Sequence, residues 1–207
     1  MTNYFLKNYV KKRAIELNMS FPSNWESIMY EYKKIEKDIK KYILFTDYGY
    51  NPKTLNGGSM IPYVINLTKE WAVRIVLFNS EDTKNAFFIT IGHELTHKDK
   101  EFSRLRFGKR NRQFIARVNE VHADFGAAQK MVNNNRQKLL DSIEYKRLLK
   151  KVDNEDFSHP SWARRKYYVE NFDFNRELIN KIAEDIGYTN QDLIDKVCNH
   201  YQEIKLN

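Results

Sequence analysis

The fold and the chemistry are read from Thr90-Ile91-Gly92-His93-Glu94-Leu95-Thr96-His97. Two histidines four residues apart on a helix project from one face, one above the other, so both imidazoles reach a single ion. Glu94 stands about 100° round from His93 in 3.6-residue geometry, beside the ion rather than on it, where it can take a proton from a metal-bound water. With 5 His in 207 residues, a chance match to this pattern is expected roughly 0.01 times. On a helical wheel Phe88, Ile91 and Leu95 lie opposite His93, while Ala86, Ile89 and Thr90 lie beside the histidines. A helix apolar or small on both sides is buried, and buried imidazoles need partners. Metal ligation supplies them; a hydrogen-bonded core pair is the competing reading.

Upstream, Ser80 with Glu81 and Asp82 places an N-cap and two acids at the positive end of this helix. Residues 61–67 and 71–79 are rich in β-branched and aromatic side chains and are expected as strands, the second running straight into the metal helix. A strand there suits an extended peptide held by main-chain pairing, though the sequence leaves open which strand is the edge. Residues 47–60, with Tyr48-Gly49-Tyr50-Asn51-Pro52 and Gly57-Gly58, are expected as loop. A helix over residues 3–18 and a second one from a capping box at Ser23-Asn24-Trp25-Glu26, carrying Trp25, Ile28, Met29, Tyr32, Ile35 and Ile39, are expected to pack on the core.

Downstream, residues 112–132 form a helix with Glu120 and Asp124 at the border of its apolar face. His122 falls about 200° from Glu120, so the two cannot both face the ion. Glu120 is assigned as third ligand, and Asp124 as the carboxylate that orients a ligand histidine through its other ring nitrogen. Small residues Ala123 and Ala127 let two helices approach. Three protein ligands with a fourth position for water is the arrangement of catalytic zinc. The bland alternative makes Glu120 and Asp124 exposed acids balancing the nearby arginines. Arg104, Arg106, Lys109, Arg110, Arg112 and Arg117 form a basic stretch without an acid, either a solvated face or a patch for an anionic partner.

Another helix with Leu139, Leu140 and Ile143 runs to Lys151. Asp153 to His159 is then loop, and Pro160 is expected as the first residue of the next helix. His159 could donate to a developing oxyanion and Arg165 could pair with Asp124; taken alone, they read as a cap and a surface charge. A helix over residues 174–186 stops at Gly187, and a last helix opens near Asn190. Lys and Arg do not cluster in that helix, so nucleic acid is possible as a partner but not favoured.

The expected class is α+β, mostly helical, with a small mixed or antiparallel sheet beside the metal helix. The chain is expected as one domain, 1–207, with packing helices in 1–45, the core in 61–172 and C-terminal helices in 173–207. The single cysteine, Cys198, allows neither an intrachain disulfide nor a cysteine-rich zinc module, and points to a reducing compartment. Without a signal-peptide core or an 18-residue apolar run, a cytoplasmic protein with no membrane partner is expected. The net charge of +8 permits anionic partners without requiring them.

These residues resemble the gluzincins, zinc metallopeptidases marked by His-Glu-x-x-His and a glutamate on a following helix. Here His93-Glu94-Leu95-Thr96-His97 is followed, after 22 residues, by Glu120-Val121-His122-Ala123-Asp124, similar to their Glu-x-x-x-Asp motif. Ser158-His159-Pro160-Ser161 with Arg165 is similar to the His-Pro and Arg element of the prenyl-protease and HtpX-type branch, whose membrane helices this chain lacks. The resemblance covers about residues 74–172 and implies a zincin-like core and cleavage of a peptide or protein substrate. One Zn2+ would be held by His93, His97 and Glu120, with Glu94 as general base and His159 stabilising the oxyanion. The alternatives are a zinc-containing pseudopeptidase, or a binding module docking an acidic partner or nucleic acid through the basic stretch. A deformylase is disfavoured, since its cysteine ligand lies upstream of the motif and Cys198 lies far downstream.

Overall fold

The structure, a computed structural model, describes residues 2–47, 53–61, 63–98, 101–149 and 153–206. In chain order these form α1 (Thr2–Glu16), α2 (Trp25–Lys33), α3 (Ile35–Ile39), β1 (Tyr42–Thr46), β2 (Gly57–Ile61), β3 (Val64–Thr68) and α4 (Lys69–Val73), which continues into a π-helical turn (Arg74–Phe78). Then follow α5 (Glu81–Thr96), α6 (Lys109–Met131), α7 (Arg136–Leu149), α8 (Trp162–Asn171), α9 (Arg176–Asp185) and α10 (Gln191–Leu206). The class is α+β as expected: mostly helix, with one three-stranded mixed sheet.

The sheet differs from its sequence reading. Its order is β1-β3-β2, with β1 parallel to β3 (Tyr42 opposite Val64, Thr46 opposite Thr68) and β2 antiparallel to it. β1 carried no sequence expectation. β2 begins at Gly57, inside the expected loop; residues 48–52 of that loop lie outside the described residues. The expected strand 61–67 is β3, shifted to 64–68.

The expected strand 71–79 is helical, α4 and the π turn. Two causes explain this. Both edges of β3 are already paired, so the chain leaving it cannot fold straight back on it as a hairpin strand. The run is also buried without alternation, at Trp71, Ala72, Val73, Ile75 and Val76. A short continuous apolar run does not by its pattern distinguish strand from buried helix. Asn79, left-handed at φ 41°, ends the turn. The helix that carries His93 and His97 is therefore preceded by helix, and its neighbouring strand is β2.

At the N-terminus, Leu6, Val10 and Ala14 of α1 and Trp25, Met29 and Tyr32 of α2 face the core at i, i+4 or i+3 spacing. The capping box does not form: Asn24 is the N-cap and makes no side-chain cap bond. The expected single helix to Ile39 is interrupted at Lys34.

Helix α5 is the centre of the fold. Ser80 caps it, accepting from the Thr83 N–H at 3.2 Å. Phe87 packs edge-on against Tyr32 and Trp71 on one side, and Ile89 joins Ala127, Ile143 and Val169 on another. Helix α6 lies against it so closely that a Cβ on Gly92 would be 2.9 Å from Ala127 Cα, and one on Gly126 would be 2.5 Å from Thr96 Cγ2. Helices α9 and α10 close a further core with Phe114, Val118 and Val121 of α6; Gly187 at φ 60° ends α9 as expected. No helix among the described residues is long and apolar enough to cross a membrane.

Candidate metal centre

The close approach of α5 and α6 brings His93 and His97 of α5 and Glu120 of α6 together, with one ligand atom of each within 4.8 Å of the others. The two Nε2 atoms are 2.9 Å apart, and the Glu120 carboxylate reaches them at 3.2 Å (Oε2 to His93) and 3.5 Å (Oε1 to His97).

The outer ring nitrogens determine what those Nε2 atoms offer. His93 Nδ1 faces Asp124 Oδ1 at 3.0 Å, and His97 Nδ1 faces Glu101 Oε1. A ring nitrogen against a carboxylate carries the hydrogen, so in the neutral ring, the form that binds a metal, Nε2 presents its lone pair inward. Two nitrogens and an anionic carboxylate thus converge, and buried Glu120 Oε2 has only His93 Nε2, at 3.2 Å, facing it. A proton relieves one of these contacts; a divalent cation relieves all three. The set is two imidazoles and one carboxylate, and it can hold a metal ion.

The supporting charges are buried. Asp124, 2% exposed, is gripped by Arg165 at both oxygens, Nε donating to Oδ2 at 2.7 Å and Nη2 to Oδ1. Burial alone would raise the Asp124 pKa, but the Arg165 charge and the His93 bond hold it well below the carboxylate range. Glu120 behaves similarly: burial pushes it up, and His93 and its neighbours bring it down to about 2. Burial pushes His93 down, and bonds to Asp124 and Glu120 lift it to about 9. The acids that favour a proton there also favour a cation. Arg165 is also raised: burial disfavours its charge, and Asp124 outweighs that.

Glu94 lines a cavity of about 340 Å³ together with His93 and Glu120. Burial raises its carboxyl above the usual range, against the pull of His93 and His97. Strand β2 lies close to it: a Cβ at Gly57 would meet Glu94 Oε1 at 3.0 Å, so a side chain there would push on the carboxylate.

His159, half exposed, stands at the cavity mouth with Nε2 3.4 Å from Glu120 Oε1. Its loop is built from several directions. Asp156 accepts from the Ser158 and His159 N–H groups and holds His159 Nδ1 at 2.9 Å. Arg117 of α6 fixes the loop through Glu155 at 2.7 Å and the Asp156 carbonyl at 2.8 Å. The following helix begins two residues later than expected, at Trp162 rather than Pro160: Ser161 is the N-cap, and Asp153 accepts from the Trp162 and Ala163 N–H groups.

Every residue named for the site from sequence, His93, Glu94, His97, Glu120, Asp124, His159 and Arg165, is thus in this one region. His122 points away, its ring 4.5 Å from that of Tyr201. Cys198 is buried in the C-terminal core. In the basic stretch, Arg104, Arg106, Lys109, Arg110 and Arg112 are exposed, whereas Arg117 is buried on Glu155. The sequence reading missed Glu101, whose only signal is its place four residues after His97. It also missed Asp156, visible as an Asp three residues before a loop histidine, and Gly57, which carried none. Comparisons with protein-family models, curated proteins and solved structures find no match.

Proposed function

We propose that this protein is a zinc-dependent hydrolase of peptide bonds with a zincin-like core. The observation that carries the reading is a buried carboxylate, Glu94, beside a His93, His97 and Glu120 donor set whose histidines are oriented by carboxylates of their own. His93, His97 and Glu120 would hold the ion. When bound, zinc would polarise a substrate carbonyl and make a water acidic near neutral pH.

The chain's own groups do the rest. Glu94, with its proton affinity raised by burial, accepts a proton from the attacking water at a carboxylate oxygen and passes it to the leaving amine. His159, held by Asp156 at Nδ1, would donate from Nε2 to the developing oxyanion when its ring carries a proton on both nitrogens. Arg165 stays on Asp124 and keeps His93 in its tautomer. A peptide substrate fits because, among the described residues, β2 pairs with β3 alone, and its Gly57 abuts Glu94. An extended chain pairing with such an edge would run past the carboxylate.

The test compares wild type with Glu94→Gln, both supplied with zinc, on an unfolded protein substrate. Glu94→Gln should keep its zinc and lose hydrolysis by roughly 10²–10⁴. Undiminished cleavage by the variant would remove Glu94 from the mechanism. No cleavage by zinc-loaded wild type of any unfolded protein would favour a binding module.

A further inference from the structure

The basic stretch between α5 and α6 has no part in the chemistry described above. Arg104 and Arg106 lie in an exposed turn, and Lys109, Arg110 and Arg112 stand at the start of α6; all five are exposed. Every other arginine of the chain pairs with a carboxylate, as Arg136 does with Asp173 and Arg176 with Asp195. Among the described residues none of these five cations is in an ion pair, and Arg110 alone makes a side-chain hydrogen bond, donating to the Gly187 carbonyl.

A helix start is an unfavourable place for such charge. It carries a partial positive charge of its own, and its first N–H groups lack intrahelical partners. Helix α5 answers this with the Ser80 cap and with Glu81 and Asp82. Helix α6 instead starts at Gly108, which makes no side-chain cap bond, and its first turn has cations and no acid. An anion relieves both features, accepting from the open N–H groups and offsetting the cations.

The surface selects among anions. Four of its five cations are arginines, whose planar forks match phosphate oxygens two at a time. Its one exposed large apolar side chain among the described residues is Leu105. It therefore lacks both the apolar centre of a protein interface and the apolar face that seats a helix in a membrane surface. Phe102 and Phe107, the aromatics of the turn, pack against the C-terminal core, so no platform is left on which unpaired bases could stack.

We propose that the turn at residues 104–106 and the first turn of α6 form a docking surface for the phosphate backbone of a nucleic-acid duplex. The contact is independent of base sequence and uses none of the metal ligands, so it does not rest on the hydrolytic reading.

Fluorescence anisotropy of the full chain with a labelled mixed-sequence DNA duplex tests it, alongside an RNA duplex of the same sequence. Five phosphate contacts at about 0.9 each predict that affinity falls with salt at a log–log slope of about −4 to −5, roughly 10²–10³-fold between about 50 and 200 mM. The variant Arg104→Gln/Arg106→Gln/Lys109→Gln/Arg112→Gln leaves Arg110 on Gly187. It should bind at least about tenfold more weakly at low salt, with the slope reduced to about −1. Lys12→Gln/Lys34→Gln/Lys37→Gln/Lys40→Gln removes the same charge from exposed positions elsewhere and should bind as wild type does. Equal weakening in the two variants would reduce the effect to net charge and overturn the proposal. So would the absence of duplex binding at about 50 mM salt, or tighter binding of polyglutamate or of anionic lipid vesicles than of either duplex. A preference for one duplex supports the proposal and identifies its form. Thermal midpoints check that the variants fold. If the first does not, Arg104→Gln/Arg106→Gln, outside any helix, should still flatten the slope by about 2, and an unchanged slope in that pair overturns the proposal.

Discussion

Gly92 and Ala127 meet backbone to backbone where α5 crosses α6, so that a Cβ on Gly92 would lie 2.9 Å from Ala127 Cα and 3.1 Å from its carbonyl oxygen. The same α5 turn carries His93, and Glu120 is two turns back on α6, so the crossing distance sets how closely the ligands converge. Gly92→Ala should therefore force the helices apart and destabilise the fold by about 1–3 kcal/mol. At roughly 2–4 °C per kcal/mol for a chain of this size, the thermal midpoint should fall by roughly 2–12 °C. Zinc affinity should fall with it. Gly108→Ala is the control, since a Cβ there meets nothing within 4 Å; equal effects of the two substitutions would deny the crossing its special role.

Glu120 and His122 offer a second test on one helix. Glu120 faces the histidines, whereas His122 packs on Phe174 and Tyr201. Wild type should bind about one zinc per chain, and Glu120→Ala should weaken binding by at least about tenfold, through loss of one of three protein ligands. His122→Ala should keep the metal. Metal analysis of the three proteins prepared side by side decides; a Glu120→Ala protein that still carries a full zinc would place the third ligand elsewhere.

The site was more legible in the sequence than the sheet, for a physical reason. A helix fixes which side chains share a face, so the spacings of His93, His97, Glu120 and Asp124 constrain where their side chains can go. Strand pairing is not local, and Tyr42–Thr46 and Val64–Thr68 become neighbours only through contacts far along the chain. The apolar run from Trp71 to Phe78 looks like a strand by composition, yet both edges of β3 are taken, so it cannot fold back as a hairpin strand, and it is helix. Gly57 shows the same limit. In sequence it is a turn residue, and only the packing of β2 on Glu94 gives it another purpose.

Asp185 gives a pH dependence away from the metal. It accepts from Lys181 Nζ at 2.6 Å and from Tyr168 Oη at 2.8 Å, tying α9 to α8. Burial raises its pKa, and Lys181, Tyr168 and Arg164 together bring it below the ordinary carboxylate value. Because the folded value is the lower one, the stabilisation is fully present above the unfolded pKa and is lost as pH falls through the folded one. Asp185→Asn should cost about 1 kcal/mol at pH 7, with the difference from wild type shrinking on acidification below the ordinary carboxylate pKa. Urea midpoints at neutral and acid pH measure this. A difference constant with pH would show that the carboxylate charge contributes nothing.

Asp124 is the joint between the ligands and the rest of the protein, because one carboxylate serves His93 Nδ1 and the Arg165 guanidinium together. Asp124→Asn keeps the shape and removes the charge, leaving Arg165, 5% exposed, without its counter-ion. Breaking a buried pair in this way should cost about 3–5 kcal/mol. His93 would also lose the acceptor that fixes its tautomer, so zinc affinity should fall by roughly 10–100-fold. Arg165→Met strands the carboxylate instead, and should destabilise comparably while weakening zinc less, since a carboxylate still faces Nδ1. The double variant removes both charges and should be more stable than the sum of the single losses predicts, by an interaction energy of about 0.5–3 kcal/mol. Denaturant titrations of the four proteins, each with and without zinc, give both quantities. Additive losses would separate the two residues energetically, and an Asp124→Asn protein with unchanged zinc affinity would show that His93 is oriented without it.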